Sequence, residues 1–149
     1  MRSLVSKHAL ILMFVVALVA TSGSLFFSEI ALFAPCKDCW FQRIFMYPQV
    51  ILLAVALWRK DRTIAWYILA LCIVGGALSL DHYSDQWEAI LNPIEHDPLA
   101  PCDLSGVSCS ATYIFELGYI TIPLMAATAF LLNALGSITV VLSTNAKKK

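Results

Sequence analysis

Along the 149 residues, long apolar stretches alternate with shorter polar ones on a scale that suits a bilayer rather than a water-soluble surface. Four windows, 9–27, 41–58, 64–80 and 119–142, approach the roughly 20 mostly apolar residues that a helix needs to cross the hydrocarbon. The second and third are short for a span. Their polar flanks therefore belong in the interface, where Trp40, Trp58, Trp66 and Tyr83 suit the headgroup level. Backbone polar groups in lipid have to be satisfied internally, so the windows predict helices. The expected fold class is all-α: a single membrane domain, 1–149, built as an integral membrane four-helix bundle with one long outer loop at about 81–118. Within that loop, Trp87, Ile90 and Leu91 share one helical side of 84–91 and predict a short helix lying on the membrane surface. Asn92-Pro93, Asp97-Pro98 and Ala100-Pro101 then break regular structure, which leaves Cys102 and Cys109 on an irregular stretch.

Composition excludes the soluble alternatives. Hydrophobic residues make up 60% of the chain and charged residues 13%, about half the charged share of a typical soluble domain. The net charge of zero conceals a split. Arg2, Lys7, Arg59, Lys60, Arg62 and Lys147 to Lys149, with Asp61 the one acid among them, leave +7 at the two ends and in the 59–62 connection. Residues 28–40 and 81–118 together carry −8. Positive loops stay in the cytoplasm, so both termini are expected to be cytoplasmic and the two acidic connections outside. A cleaved signal peptide is the alternative for the first window, because Arg2 and Lys7 precede it. Against it, the apolar run continues through Leu25-Phe26-Phe27, and two cytoplasmic ends require an even number of spans. No repeat, second soluble domain or phosphate-cradling glycine motif is present in the sequence.

Four of the five cysteines fall on the outer side of this topology. Cys36 and Cys39 form a C-x-x-C, and Cys102 and Cys109 form a second, wider pair. An oxidising compartment favours two disulfides. The first pair opens the second helix, where unpaired N–H groups and the helix dipole favour a thiolate, and a thiolate is both nucleophile and leaving group. Redox activity therefore fits it better than a structural staple. Zinc is weighed and set aside, since a structural site wants closely spaced pairs and a closed shell, and no metal is expected. Cys72, in the middle of the third span, reads as a small inert hydrophobe.

Arg43 follows Cys39 by one helical turn, at the outer edge of the hydrocarbon, where an ionisable group marks function unless it snorkels to the headgroups. A cation there suits a lipid-soluble redox partner that becomes negative as it takes electrons from Cys39, and a quinone is such a partner. His82 ends the third span on the same side and is a candidate for hydrogen-bonding a quinone oxygen or relaying a proton. Gln42 is read as packing.

The stretch Cys36-Lys37-Asp38-Cys39-Trp40-Phe41-Gln42-Arg43-Ile44-Phe45-Met46-Tyr47-Pro48 resembles the signature of the DsbB family of disulfide-bond formation proteins, and most closely its BdbC-like branch. The resemblance extends to four spans and a second outer cysteine pair. It implies a multi-pass protein of a bacterial inner (cytoplasmic) membrane: a thiol:quinone oxidoreductase, using ubiquinone or menaquinone, that reoxidises an extracytoplasmic thioredoxin-like thiol oxidase. By that resemblance Cys36 and Cys39 are the quinone-coupled pair, Cys39 faces the quinone, Arg43 serves the quinone site, and Cys102 and Cys109 face the partner protein. The gap between Cys102 and Cys109 is narrower than in the best-known members.

The competing reading is a non-enzymatic membrane scaffold whose two outer disulfides hold a recognition loop; it leaves Arg43 unexplained. A transporter lacks a midplane polar site, for which the deeper spans offer only Asn133 and small residues.

Overall fold

The computed structural model describes residues 2–92, 108, 109 and 112–145. Four helices carry the fold: α1, Arg2–Leu25, extended by a π-helical turn over Phe26–Ile30; α2, Lys37–Arg59; α3, Ile64–Leu91; and α4, Ile122–Asn145. All four are long and apolar enough to cross a membrane. They pack antiparallel in a ring, α1 on α2, α2 on α3, α3 on α4 and α4 back on α1. Cys102, the proline-broken stretch around it and the Lys147–Lys149 anchor lie outside the described residues.

Each helix buries a stripe with alternating steps of three and four. On α2 it is Gln42, Met46, Gln49, Leu53 and Ala56; on α3 it is Ala65, Ile68, Cys72, Gly75, Ser79, His82 and Gln86. That spacing is the seam of a left-handed bundle. The opposite faces carry exposed apolar side chains such as Leu12, Val19, Ile51, Ile73 and Leu131, as a lipid-facing surface requires. Close approach needs small residues on the seam. A Cβ on Gly75 would lie 2.4 Å from the Phe130 ring, and one on Gly136 would lie 2.5 Å from Met13.

The α3 stripe corrects the expectation for the start of the outer loop. Residues 84–91 do not form a separate surface helix; they continue α3, because Ser79, His82 and Gln86 keep the buried register beyond the apolar window. Helix α3 thus runs on to Leu91, well past the end of the apolar window. α4 in turn begins at Ile122, preceded by a tight turn in which Glu116 bridges Ile120 around Leu117 and Gly118, both with positive φ.

The interior is more polar than the sequence suggested. Gln49 Oε1 accepts hydrogen bonds from Asn133 Nδ2 at 2.9 Å and from the Cys72 thiol at 3.6 Å, and its Nε2 donates to the Phe45 carbonyl at 3.0 Å. This crosslinks α2, α3 and α4 at the residue after Pro48, which supplies no backbone donor of its own. Such bonds are worth about 0.6 kcal/mol on average in membrane bundles.

The two ends of the bundle differ in chemistry. One carries Arg59, Lys60 and Arg62 in the α2–α3 turn, where Lys60 adopts a left-handed conformation and Asp61 Oδ1 accepts from the Thr63 N–H at 2.8 Å. The other gathers Cys36, Cys39, His82 and Cys109.

Candidate functional site

Cys36 is the residue that starts α2. Its extended backbone (φ −73°, ψ 175°) turns the chain into the helix, and its carbonyl accepts from Trp40 N–H at 3.2 Å. One helical turn therefore sets Cys39 beside it, and the two free sulfurs share a hydrogen bond at 3.4 Å. Cys36 is buried and Cys39 half-buried.

His82 reaches this pair from α3. Only 1% of its surface is exposed, so it is no solvated interfacial histidine. Its Nε2 lies 3.7 Å from Cys36 Sγ and 3.0 Å from the carbonyl oxygen of Cys109, while Nδ1 lies 3.0 Å from Gln42 Nε2. The Cys109 carbonyl can only accept, so Nε2 carries the proton and Nδ1 accepts from the Gln42 amide. The Nε2–H is thereby shared between Cys109 and the sulfur of Cys36. The Cys36 thiol is held well below its ordinary value of 9.0, first because Cys39 donates a hydrogen bond to its thiolate, and then because His82 does the same against the opposing effect of burial.

Cys109 is disulfide-bonded. The segment that carries it closes over the cysteine pair, and Ser108, Tyr113 and Ile114 line a small cavity of about 20 Å³ together with Cys36, Cys39 and His82. Stacked rings hold this segment in place: Phe27 on Phe33 with centroids 5.9 Å apart, and Phe33 on Tyr113 at 4.9 Å.

Arg43 faces the other way. Its guanidinium lies over the Trp40 ring at 5.2 Å and donates to the Ser24 carbonyl of α1 at 3.2 Å; Tyr47 donates to the Ser24 hydroxyl at 3.1 Å. The contact comes just before α1 loosens into its π-helical turn, and such turns are frequent at functional sites. Arg43 is thus held against protein within the bundle wall rather than extended along the chain axis toward headgroups.

Of the candidate residues, the structure brings Cys36, Cys39, His82 and Cys109 together, with Arg43 one turn from Cys39 on the α1 side. Cys102 is outside the described residues. Gln42 is the functional neighbour that sequence reasoning read as packing. It does more than pack, because its amide hydrogen-bonds the His82 ring nitrogen that faces away from Cys36. Its signal was a buried-register glutamine three residues after Cys39 in an otherwise apolar window.

The sequence comparisons point to one family. The model of the family described as "Disulfide bond formation protein DsbB" matches residues 6–141. Disulfide bond formation protein C of Bacillus subtilis is 46% identical over 118 residues, covering 79% of this chain and 81% of the relative. A probable disulfide formation protein C of Bacillus cereus is 39% identical over 135 residues, covering 91% and 93%. A probable disulfide formation protein of Metapseudomonas resinovorans is 36% identical over 128 residues, covering 86% and 85%. No solved structure matches the chain. A family match over nearly the whole length, four apolar helices and a paired thiol centre at one bundle end lead to one conclusion: the chain is a multi-pass membrane protein that belongs to the DsbB family of disulfide bond formation proteins.

Proposed function

We propose that this chain is a membrane thiol:quinone oxidoreductase that reoxidises an extracytoplasmic thioredoxin-like dithiol oxidase, with the cysteine end of the bundle outside and both termini in the cytoplasm. The observation that carries this reading is the shared contact of His82 Nε2 with Cys36 Sγ and the Cys109 carbonyl, because it sets the second cysteine segment against the C-x-x-C. Two inert staples need no such contact, and Cys36 and Cys39 are free thiols. The +7 against −8 charge split supports the orientation.

The proposed order of bond changes sets the Cys102–Cys109 pair first, because it lies on the outer connection, and the C-x-x-C second, because His82 joins it to the Cys109 segment. A thiolate of the reduced partner attacks Cys102 of a Cys102–Cys109 disulfide, and Cys109 leaves. The partner's second thiolate then displaces Cys102, so the partner departs oxidised and the outer pair is a dithiol. Cys109 attacks Cys36 Sγ of the oxidised C-x-x-C, and Cys39 leaves on the side of Arg43. Cys102 closes on Cys109, and Cys36 leaves as a thiolate that His82 and the helix N-terminus stabilise. Two electrons have now moved from the partner to Cys36 and Cys39.

The residues around Cys39 fit a quinone. Arg43 is a cation with further N–H donors, and Trp40, Phe41 and Ile44 on the same turns are exposed apolar surface suited to lipid and to the isoprenoid tail of a quinone. A bound quinone supplies a sink for two electrons and two protons, which re-forms the Cys36–Cys39 disulfide. Arg43 orients that group and offsets negative charge beside Cys39.

The test is direct: purified protein with a reduced thioredoxin-like substrate is expected to oxidise it continuously only when a quinone is supplied. Turnover that ignores quinone would refute the electron acceptor, and no thiol exchange at all would favour the scaffold.

A further inference from the structure

In the described residues one cluster has the donor set of a metal site. Cys36 Sγ, Cys39 Sγ and a His82 ring nitrogen all lie within 4.8 Å of one another. Tetrahedral zinc with Zn–S of about 2.3 Å and Zn–N of about 2.0 Å places two sulfurs about 3.8 Å apart and sulfur about 3.5 Å from nitrogen. Here the sulfurs are 3.4 Å apart, and His82 Nε2 is 3.7 Å from Cys36 Sγ. Two edges of the tetrahedron are thus close to length, and the third, from Cys39 Sγ to the ring nitrogen, is within 4.8 Å. The adjoining cavity of about 20 Å³ has room for one water as the fourth ligand.

The orienting partner is present as well. A ligating histidine donates its other ring N–H to a fixed acceptor. Gln42 lies 3.0 Å from Nδ1, and turning its amide presents Oε1 in place of Nε2. With the proton on Nδ1, Nε2 has a lone pair for a cation.

We propose that the reduced Cys36–Cys39 pair and His82 form a two-sulfur, one-nitrogen site for a thiophilic divalent cation such as Zn²⁺, oriented by Gln42, and that occupancy excludes both the Cys36–Cys39 disulfide and the His82–Cys109 contact. Binding releases the thiol protons and the cation takes their place; no electron moves. The same nitrogen cannot donate to the Cys109 carbonyl and hold the metal, so the cation unlatches the outer segment while it blocks the sulfurs. Zinc outside the cell then acts as a brake on the reduced state. The inference requires only the dithiol and holds whatever accepts the electrons.

The experiment uses the full-length chain in detergent with Cys102→Ser and Cys109→Ser, reduced, and titrated with Co²⁺ as a coloured stand-in and Zn²⁺ as competitor. One Co²⁺ per chain with the absorption of a tetrahedral thiolate complex, displaced by Zn²⁺, is expected. The same protein oxidised to the Cys36–Cys39 disulfide binds at least a hundredfold more weakly. His82→Ala lowers affinity at least tenfold, and Gln42→Ala lowers it about tenfold to a hundredfold without removing a ligand. Gln42→Glu, which keeps an acceptor on Nδ1, restores affinity. Binding that survives oxidation, or that is unchanged in both His82→Ala and Gln42→Ala, would overturn the proposal, as would an octahedral Co²⁺ spectrum.

Discussion

The Nε2–H of His82 on α3 donates to the backbone carbonyl of Cys109 at 3.0 Å, so a side chain of the bundle holds the main chain of the outer segment. The same nitrogen lies 3.7 Å from Cys36 Sγ. His82→Ala is therefore expected to slow exchange between the outer pair and the C-x-x-C. Loss of a hydrogen bond to a charged group, worth about 1.5 to 3 kcal/mol, corresponds to roughly a tenfold to hundredfold slower step. Single-turnover exchange without quinone measures it, and an unchanged rate would reduce His82 to a packing residue.

The pH dependence has a definite sign. The Cys36 thiol is lowered in the folded state, so its contribution to the stability of the reduced protein is complete above its unfolded value of 9.0 and is lost as pH falls toward the lowered value. Alkylation of Cys36 in reduced protein should persist at pH values where an ordinary thiol is unreactive. In His82→Ala its midpoint should move to higher pH, which a rate–pH profile with a small alkylating reagent will show.

Arg43→Ala is expected to weaken quinone use about tenfold to a hundredfold while leaving partner exchange with the outer pair intact, because the guanidinium lies on the α1 side of Cys39 away from Cys109. Arg43→Lys should recover only part, since an ammonium lacks the planar fork that reaches Ser24 and stacks on Trp40. Steady-state oxidation of a reduced partner against quinone concentration checks both.

Cys109→Ser is expected to trap a reducible covalent adduct with the partner through Cys102: its thiolate attacks the disulfide of the oxidised partner, one partner sulfur leaves, and the Cys109 sulfur that would reclaim Cys102 is gone. The same cells test orientation. With an impermeant thiol reagent, Cys102 should label and a cysteine placed at Arg62 should not; the reverse pattern would invert the topology.

Packing makes a prediction independent of redox chemistry. Gly75→Ala would push a methyl against the Phe130 ring and should cost about 1 to 3 kcal/mol. Thermal unfolding in detergent should show the loss, and Phe130→Leu in the same chain should recover part of it.

The four helices were legible in the sequence because lipid-facing residues must be apolar whatever packs behind them. Helix ends were less so. Asp81, Asp85 and Glu88 lower the hydropathy of the outer part of α3, yet they occupy solvent-facing positions while His82 and Gln86 keep the seam. A window average mixes those two faces; the steps of three and four from Ala65 to Gln86 separate them. Cys36, Cys39 and Arg43 were legible from local spacing along one helix. The pairing of His82 with Cys36 was not, since 46 residues separate them and only the antiparallel packing of α2 and α3 brings them together. Gln49 was passed over and Gln42 read as packing for a related reason: a lone glutamine in an apolar window shows its partners only when the neighbouring helices are in place.

The stacked rings of Phe27, Phe33 and Tyr113 moor the outer segment four residues from Cys109. Four residues extend to at most about 14 Å, so the Cys109 backbone works on a leash of that length from Tyr113. A leash that short sets a local concentration in the millimolar range. On the proposed pathway the inward step is then first-order and indifferent to how dilute the protein is in its membrane, whereas capture of the partner is bimolecular. Scarcity of the partner, not the meeting of the two cysteine pairs, is what dilution would make limiting.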